Sequence, residues 1–384
     1  MDFEPTETQQ LVVRTAREFV ERELLPVAAE LDRESRFPSE QLSQLAELGM
    51  MGVNIPASLG GSEAGAVAYS LAMMEVARGC ASTAVTMAVT NMVGEVISFF
   101  GSDAQREQYV TKLTSGEYAA GAFALSEPGA GSDAAAMTTQ AKRTDDGWVL
   151  DGQKMWITSG GKCGVMVVWA RTDTSSNRLG HKGISCFLVE QGTAGLKVEK
   201  KEDKLGLRAS ETVPLTFEDC HLPADALLGE EGQGFRIAMM ALDGGRIGIA
   251  SQAVGVATAA LAEGIEYAKD RKQFRKPIAE FQAIQWMIAD SKTELDAARL
   301  LALRAAELKE RGAPSFSREA ATAKVFASEA AWRICDRMLQ IHGGYGYVRD
   351  FPIERHLRDV RVARIYEGTS EVQRTVIARS LLRG

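Results

Sequence analysis

The sequence predicts an α+β fold with an N-terminal helical domain, a middle β-barrel-like domain and a C-terminal four-helix-bundle domain. Apolar residues recur every three or four positions up to about residue 118 and again from residue 234, which is typical of amphipathic helices. The stretch between them contains short segments rich in strand-forming residues. A chain of 384 residues also exceeds one ordinary core, since domains span about 100–200 residues. We place the domains at 1–119, 120–230 and 231–384.

The first domain contains only helical patterns. The segment TETQQLVVRTAREFVERELLPVAAEL has helical spacing, and Pro26 predicts a turn or bend within it. A further helix is predicted to begin near Ser102, because Ser102 and Gln105 have the spacing of a capping box.

The middle domain is predicted from short strands and two turn signals, Asp146-Gly147 and Asp151-Gly152. The third domain then begins with three long amphipathic segments, each long enough for about six to ten helical turns. Their short connections predict an antiparallel bundle. A last helix is predicted to begin at Ser370, because Ser370 and Gln373 again have capping-box spacing.

Composition and charge exclude several classes of protein. Hydrophobic residues make up 45% of the chain and charged residues 25%, as in globular proteins. The 44 basic and 51 acidic residues are interspersed and give a net charge of −7, which disfavours a nucleic-acid surface. The five scattered cysteines form no C-x-x-C pair, and the four histidines have no ligand spacing. We therefore expect a reducing environment, no disulfide framework and no metal site.

The N-terminal sequence MDFEPTETQQ is acidic and has neither an apolar signal core nor an Arg/Ser-rich presequence. No uninterrupted apolar run reaches the roughly 18 residues that cross a bilayer. We therefore expect a cytoplasmic protein without membrane insertion.

Two motifs in the middle domain suggest a ligand, although each has an ordinary structural interpretation. The loop FALSEPGAGSD follows an apolar strand and lacks the third glycine of a G-x-G-x-x-G fingerprint. Its backbone amides can bind a flat polar ligand, or it can be a plain turn. In QKMWITSGG, Trp156 can cover a heteroaromatic cofactor, or it can pack in the core.

Three motifs in the last domain have the same ambiguity. In DRKQF, Arg271 and Lys272 can bind a phosphate or simply stabilise a helix C-terminus. The glycines of QIHGGYGY allow close approach of a ligand, or they cap a helix. Glu367, in RIYEGTSEVQR, lies in the loop before the last helix, where it is either aimed at a ligand or a common helix-start acid.

Together and in this order, the motifs LSEPGAGSD, KMWITSGG, DRKQF, QIHGGYGY and IYEGTSEVQR resemble those of the acyl-CoA dehydrogenase family over essentially the whole chain. The resemblance implies the three-domain fold, a tightly held FAD, an acyl-CoA substrate and an electron-transfer flavoprotein as partner. It also implies FAD sites shared between subunits of a homotetramer, a dimer of dimers.

The resemblance assigns roles to individual residues. Glu367 matches the catalytic base. Asp243, Arg246, Gly368 and Ser132 match substrate contacts. Ser132 and a larger set match FAD contacts, namely Phe123, Leu125, Ser126, Gly131, Trp156, Ile157, Thr158, Arg271, Gln273, Phe274, Gln282, Gln340, Gly343, Gly344, Thr369 and Glu371. Within this set, Arg271, Gln273, Phe274, Gln282 and the run 340–344 match positions that reach the FAD of a neighbouring subunit.

The expected chemistry explains the need for one carboxylate. The α-proton of a thioester is weakly acidic, so its removal requires a positioned base while hydride leaves the β-carbon. Some family members carry this base on the helix around ALDGGRIG, where this chain has Gly244 and Gly245. Glu367 is therefore the candidate base, and burial beside the acyl chain and flavin is expected to raise its pKa.

The motifs look closest to the short-chain, butyryl type. Medium-chain, branched or cyclic acyl groups remain alternatives, because Gly244 and Gly245 leave room and the pocket depth depends on residues 88–95. An acyl-CoA oxidase is a second alternative within the enzymes. A flavin-containing DNA-binding stress protein is an alternative of another class, which net charge and length disfavour.

Overall fold

The computed structural model describes residues 4–173 and 180–382. Its α-helices are α1 (Glu7–Phe19), α2 (Ala28–Glu34), α3 (Ser39–Glu47), α4 (Gly65–Gly79), α5 (Ala81–Phe100), α6 (Asp103–Gln105), α7 (Thr111–Thr114), α8 (Gly234–Asp270), α9 (Gln282–Glu310), α10 (Ser317–His342), α11 (Ile353–Val360) and α12 (Ser370–Leu382). Its strands are β1 (Gly121–Ala124), β2 (Gln140–Arg143), β3 (Gly147–Thr158), β4 (Val165–Arg171), β5 (Ile184–Glu190), β6 (Leu196–Val198), β7 (Thr212–Pro223), β8 (Leu227–Leu228), β9 (Lys272–Gln273) and β10 (Lys276–Pro277). This succession confirms the predicted helical, β, helical order, whereas the predicted domain limits stay predictions.

The first helices begin and bend where the sequence indicates. The chain leaves α1 through a π-helical turn and a turn at Pro26 before α2 begins. The predicted capping box at α6 is present, because Ser102 Oγ accepts from Gln105 N at 3.2 Å and Gln105 Oε1 accepts from Ser102 N at 3.0 Å. Both observations confirm the predicted local structure.

The middle domain is built on one sheet with the strand order β6-β7-β3-β2-β4-β5-β8, and β1 pairs in parallel with β4. Alternate residues of β4 face two different cores. Val167 and Trp169 pack with the helical domains, whereas Met166 and Val168 pack inside the β domain. Trp169 Nε1 also donates to the carbonyl of Gly234, the first residue of α8, at 2.7 Å. The sheet is thereby fixed against the C-terminal helices.

One of the two predicted turns is a turn and the other is not. Asp146-Gly147 lies in the β2–β3 hairpin, as predicted. Asp151-Gly152 lies inside β3, where a register shift against β7 marks a bulge. Gly152 has φ 147°, and a Cβ there would lie 2.6 Å from Thr139 Oγ1. The second prediction was wrong because a bulge requires the same permissive glycine as a turn.

The C-terminal domain is the predicted bundle. Helices α8, α9 and α10 pack against one another, and α12 packs along α10. Helix α8, with 37 residues, also packs against α4 and α5 of the first domain. Residues 243–252 of α8 therefore lie where the C-terminal domain meets the first domain.

Two helices contain no uninterrupted apolar run of membrane-spanning length, yet their averaged hydropathy is as high as that of a membrane span. Among the described residues, α5 and α8 are long and apolar enough to cross a membrane, but 78% and 83% of their apolar windows are buried inside the protein. Such burial is characteristic of core helices, which have the same length and composition as membrane spans.

A buried ion pair joins the loop after β1 to β3. Lys154 Nζ lies 2.8 Å from Glu127 Oε1 and also donates to the Leu125 carbonyl at 3.2 Å. The Glu127 carboxylate further accepts from the backbone N–H groups of Thr138 and Thr139, at 2.6 and 2.9 Å. Burial alone would raise the pKa of Glu127, but the Lys154 charge and these hydrogen bonds lower it to about 2.

We predict that Glu127→Leu or Lys154→Met alone lowers the free energy of unfolding by about 3–5 kcal/mol, because each leaves an uncompensated buried charge. The double variant should lose less than the sum, and urea unfolding of the four proteins near pH 7 measures this coupling. The Glu127 contribution should be complete above its unfolded pKa and be lost as pH falls through about 2. Strictly additive losses would contradict the pairing.

Candidate active site

The terminal helix α12 begins at Ser370, as predicted, but its cap differs from the predicted one. Thr369 Oγ1 accepts from Val372 N at 3.3 Å, so Thr369 is the capping side chain. Ser370 is already helical and buried, and Gln373 is also fully buried. The predicted capping box between Ser370 and Gln373 was wrong, because both side chains point into the protein instead of toward the open helix end.

The buried Gln373 holds the loop that carries the carboxylate. Its Nε2 donates to the carbonyls of Glu367 and Gly368, at 3.1 and 3.0 Å. Lys324 Nζ donates to the same Gly368 carbonyl at 2.6 Å. Glu367 and Gly368 have φ values of 54° and 88°, and a left-handed conformation costs a non-glycine residue about 1–2 kcal/mol. These hydrogen bonds help to keep the Glu367 backbone in this unusual conformation.

Glu367 is a partly exposed residue, but one oxygen of its carboxylate is buried and unbonded. Its Oε2 atom has no hydrogen-bond partner among the described residues. A Cβ at position 245 would lie 2.6 Å from this oxygen and 3.1 Å from Met92 Sδ, so Gly245 provides the space for the carboxylate. Burial raises the pKa of Glu367 to about 7, although the charges of Arg246 and Lys324 oppose the shift. A carboxylate with this pKa can accept a proton near neutral pH.

Asp243 and Arg246 lie on α8 beside this site. Arg246 is only 6% exposed and donates through Nη1 to Asp243 Oδ1 at 2.6 Å. Ser317 Oγ donates to the other Asp243 oxygen. Burial raises the pKa of Asp243, while Ser317 and Arg246 oppose that shift. The structure thus brings Arg246 and Gly368, two predicted substrate contacts, to the base.

Polar groups connect α8 to α5 and to the base loop further along α8. Tyr366, the residue before the base, donates its hydroxyl to Gln252 Oε1. Gln252 Nε2 in turn donates to the Ala81 carbonyl at 2.8 Å. A Cβ on Gly248 would lie 2.8 Å from the Tyr69 hydroxyl oxygen. Tyr69 and Tyr366 therefore pack against α8, at Gly248 and Gln252, within about two turns of Gly245.

Two segments of the middle domain that were predicted to contact FAD adjoin each other. Met155 N donates to the Ser126 carbonyl at 2.9 Å, which joins the loop after β1 to β3. Trp156 is 58% exposed and has φ 64°, so it is not a core residue. Its exposed ring, beside a loop whose Gly131 and Ser132 are also exposed, fits the covering of a flat heteroaromatic group.

The other predicted contacts of the middle domain differ in exposure. Ile157 and Leu125 are buried, and Thr158 is partly exposed. Phe123 packs against Trp169, with ring centroids 4.3 Å apart. The side chains of Ile157, Leu125 and Phe123 therefore support these segments from inside the protein.

A second surface contains the residues predicted to reach a neighbouring subunit. Arg271, Gln273, Gly343 and Gly344 line one open cavity of about 680 Å³. Gly343 caps α10, yet a Cβ on Gly343 or Gly344 would meet no atom within 4 Å. Both interpretations of these glycines therefore hold: Gly343 caps a helix, and the backbone of both residues is open to close approach by a ligand.

The β9–β10 hairpin projects beside this cavity. Its two turn residues, Phe274 and Arg275, have φ values of 50° and 67°, and Phe274 is 86% exposed. Positive φ at both positions is what a two-residue type I′ hairpin turn requires, so the exposed Phe274 ring is the feature that suggests a binding site. Gln282 and Gln340 are exposed as well, as is Glu371 on α12, whereas Thr369 is partly buried. Among the described residues, no hydrogen bond, ion pair or ring contact joins Arg271, Gln273 or Phe274 to Trp156 or Glu367.

Sequence reasoning missed Lys324, Gln373 and Gln252. Lys324 is fully buried on a helix face with Ala320, Ala323 and Ala327. A lysine at a position where the helical period predicts burial was the available signal. Gln373 was noticed only for its capping spacing, and nothing local distinguishes Gln252 from other polar residues of α8.

Three domains of a single protein family match this chain. They are the acyl-CoA dehydrogenase N-terminal domain over residues 6–117, the middle domain over 122–220 and the C-terminal domain over 232–382. The short-chain specific acyl-CoA dehydrogenase, mitochondrial, of Bos taurus is 52% identical over 379 residues, 98% of this chain and 90% of that protein.

Two solved structures superpose over the whole chain. Butyryl-CoA dehydrogenase from Megasphaera elsdenii has a TM-score of 0.96 and 44% identity, with 100% of both chains covered. A chain solved in work on the electron transferring flavoprotein of Acidaminococcus fermentans has a TM-score of 0.97 and 42% identity, again with 100% of both chains covered. These matches confirm the resemblance seen in the motifs: the chain belongs to the acyl-CoA dehydrogenase family, whose cofactor is FAD.

Proposed function

We propose that the protein catalyses α,β-dehydrogenation of a short-chain acyl-CoA thioester to the trans-2-enoyl-CoA, with Glu367 as the base. The observation that carries this proposal is the buried Oε2 of Glu367, which has no partner among the described residues. Its pKa of about 7 allows the ionised form to abstract a proton at neutral pH. Relatives named short-chain specific or butyryl-CoA dehydrogenase support the reaction and the substrate class.

The protein's part in the reaction is to hold a base against the α-carbon. The α C–H bond breaks, its electron pair forms the new double bond, and the proton goes to Glu367 Oε2. Bound FAD supplies the acceptor for the hydride that leaves the β-carbon. The nearby Arg246 cation, in a buried setting, favours negative charge that develops on the thioester. Gly245 leaves the carboxylate free to meet the substrate.

The FAD assignment rests on two surfaces, one for the flat flavin ring and one for the FAD of a neighbouring subunit. Trp156, Thr158, Ser126 and Ser132 would flank the ring, and Thr369 and Glu371 would approach it from the start of α12. Arg271, Gln273 and the Gly343-Gly344 backbone would reach the FAD of a neighbouring subunit from the open 680 Å³ cavity. No hydrogen bond, ion pair or ring contact joins these two surfaces within the described part of the chain, which supports sharing between subunits. We therefore propose a homotetramer, a dimer of dimers.

Short acyl chains are favoured by the polar bridge beyond the base. The Tyr366 hydroxyl and Gln252 are hydrogen-bonded to each other, and Gln252 is buried, so a longer alkyl tail would have to displace packed, paired groups instead of filling empty space. Each added methylene would then gain less than the usual 0.8 kcal/mol or so. Branching near the reacting carbons would fill the space above Gly245, which the carboxylate itself needs.

We further propose that electrons pass to an electron-transfer flavoprotein and that the reaction serves fatty-acid β-oxidation in the cytoplasm. The similarity to a chain from the Acidaminococcus fermentans flavoprotein work supports this acceptor. An oxidase would pass the electrons to oxygen instead, and a peroxide assay during turnover separates the two.

The direct test is anaerobic addition of butyryl-, octanoyl- and isovaleryl-CoA to the FAD-loaded protein while the oxidised-flavin absorbance is followed. Butyryl-CoA should bleach the flavin fastest, because a longer chain would have to displace the packed polar bridge. Faster bleaching by octanoyl- or isovaleryl-CoA would replace the short-chain assignment with a medium-chain or branched one. Absence of bleaching by all three would refute the proposed function.

Glu367→Gln should retain the fold and FAD, because the amide is nearly isosteric, but it lacks the base. The loss should be about 3–5 kcal/mol of transition-state stabilisation, from the typical 10²–10⁴-fold effect of a general base. Stopped-flow flavin reduction measures it. Near-wild-type reduction in this variant would refute the assignment of Glu367.

Gly245→Ala should slow flavin reduction by about 100-fold, because its Cβ would displace the base and small misplacements cost about that much. Gly244→Ala is the matched control on the same helix. Its Cβ would lie 3.1 Å from the flexible end of Lys309 and makes no close contact with Glu367. Equal rates in the two variants would show that Gly245 does not provide the space for the base.

A further inference from the structure

Lys324 is a charged side chain in an apolar position. It is 0% exposed and lies on the face of α10 that also buries Ala320, Ala323 and Ala327. Burying an ammonium group costs several kcal/mol unless other groups compensate. Its Nζ donates to a neutral acceptor, the Gly368 carbonyl, at 2.6 Å. No carboxylate of the described residues lies within 4.0 Å of it as an ion-pair partner.

The negative charge that acts most strongly on Lys324 is the base. Burial lowers the pKa of Lys324 to about 8, and Glu367 is the acid that opposes this shift most strongly. The two other acids that act on Lys324 are already engaged or solvated. Glu329 pairs with Arg364 at 3.0 Å, and Glu371 is exposed. The Lys324 charge therefore acts chiefly on Glu367.

We propose that Lys324 is a positioning residue for the reaction, which fixes the base loop through the Gly368 carbonyl and favours the ionised form of the Glu367 carboxylate. The inference rests on the proposed role of Glu367 as base. Lys324 does not itself need to touch the substrate, since it acts through its charge and through the backbone carbonyl next to the base.

Three other groups face Glu367, and one of them is also a cation. Tyr69 from α4 and Tyr366 from the loop are neutral, because burial raises the pKa of each hydroxyl well above its usual range. Arg246 from α8 lowers the pKa of Glu367 more than Lys324 does, but it is already paired with Asp243 at 2.6 Å. Lys324 is thus the cation near Glu367 that has no carboxylate partner of its own.

The direction of the pH effect follows from the base mechanism. Only the ionised Glu367 accepts the α-proton, so flavin reduction falls as pH drops through the pKa of Glu367. A nearby opposite charge lowers a carboxyl pKa, and Lys324 acts in this way on Glu367. Removing the Lys324 charge should therefore move the acidic limb of the pH profile upward, by about one unit or more.

The test compares Lys324→Met, Lys324→Arg and Gln373→Leu with the wild type in anaerobic flavin reduction by butyryl-CoA from about pH 5.5 to 9. Gln373→Leu is the matched neutral control, because Gln373 also donates to the Gly368 carbonyl, at 3.0 Å, but carries no charge. FAD content and thermal unfolding are recorded for each protein, so that loss of fold is separated from a shift in pH dependence.

Lys324→Met should shift the acidic limb upward by one unit or more. Lys324→Arg should stay within a few tenths of a unit of the wild type even if its rate falls. Gln373→Leu should lower the rate at every pH without moving the limb. Equal limbs in Lys324→Met and the wild type, or an equal shift in Lys324→Arg, would overturn the proposal while leaving the proposed function intact. No bleaching of the wild-type protein by butyryl-CoA would overturn both.

Discussion

The site depends on one constraint, which is that a carboxylate must remain buried and partly unbonded without being protonated permanently. Burial pushes the pKa of Glu367 up to about 7, and a hydrogen bond to Oε2 would occupy the lone pair that the reaction needs. The protein meets this constraint with charge and space instead of direct bonds. Two buried cations act from a distance, and a glycine on α8 leaves room.

Each domain contributes something that the others cannot supply. The C-terminal domain provides the base loop and the long helix α8, along which Gly245, Arg246 and Gln252 follow one another. The first domain contributes α4 and α5, whose Tyr69 and Met92 lie beside Gly248 and Gly245 of α8. The middle sheet presents Trp156, and its β4 strand is buried on both faces, so the sheet is held firmly against α8.

The sequence predicted the features that depend on period and on local motifs. Helical spacing gave the two helical domains, strand-forming runs gave the sheet, and Ser370 was correctly placed at the start of α12. Features that depend on tertiary contacts could not be predicted from the sequence. The spacing of Ser370 and Gln373 fits a capping box, but burial recruited Gln373 to the carbonyls of the base loop.

Tertiary contacts also decide the roles of a glycine, an aromatic residue and a buried charge that local sequence leaves open. Asp151-Gly152 has the local chemistry of a turn, and only its pairing with β7 shows that it is a bulge. Trp156 fits a core position by composition, yet its backbone conformation turns it outward. Lys324 can be recognised as important only when the Gly368 carbonyl and Glu367 are seen beside it, since these residues are more than 40 positions away in the chain.

The most direct measurement is exchange of the α-proton of butyryl-CoA with D₂O on the fully reduced enzyme, followed by NMR. Reduced flavin cannot accept hydride, so the experiment isolates proton transfer to the base. The account predicts exchange that increases with ionisation of a group of pKa about 7 and that is lost in Glu367→Gln. Exchange that persists in this variant, or that does not depend on pH between 6 and 8, would contradict the assignment of Glu367 as the base.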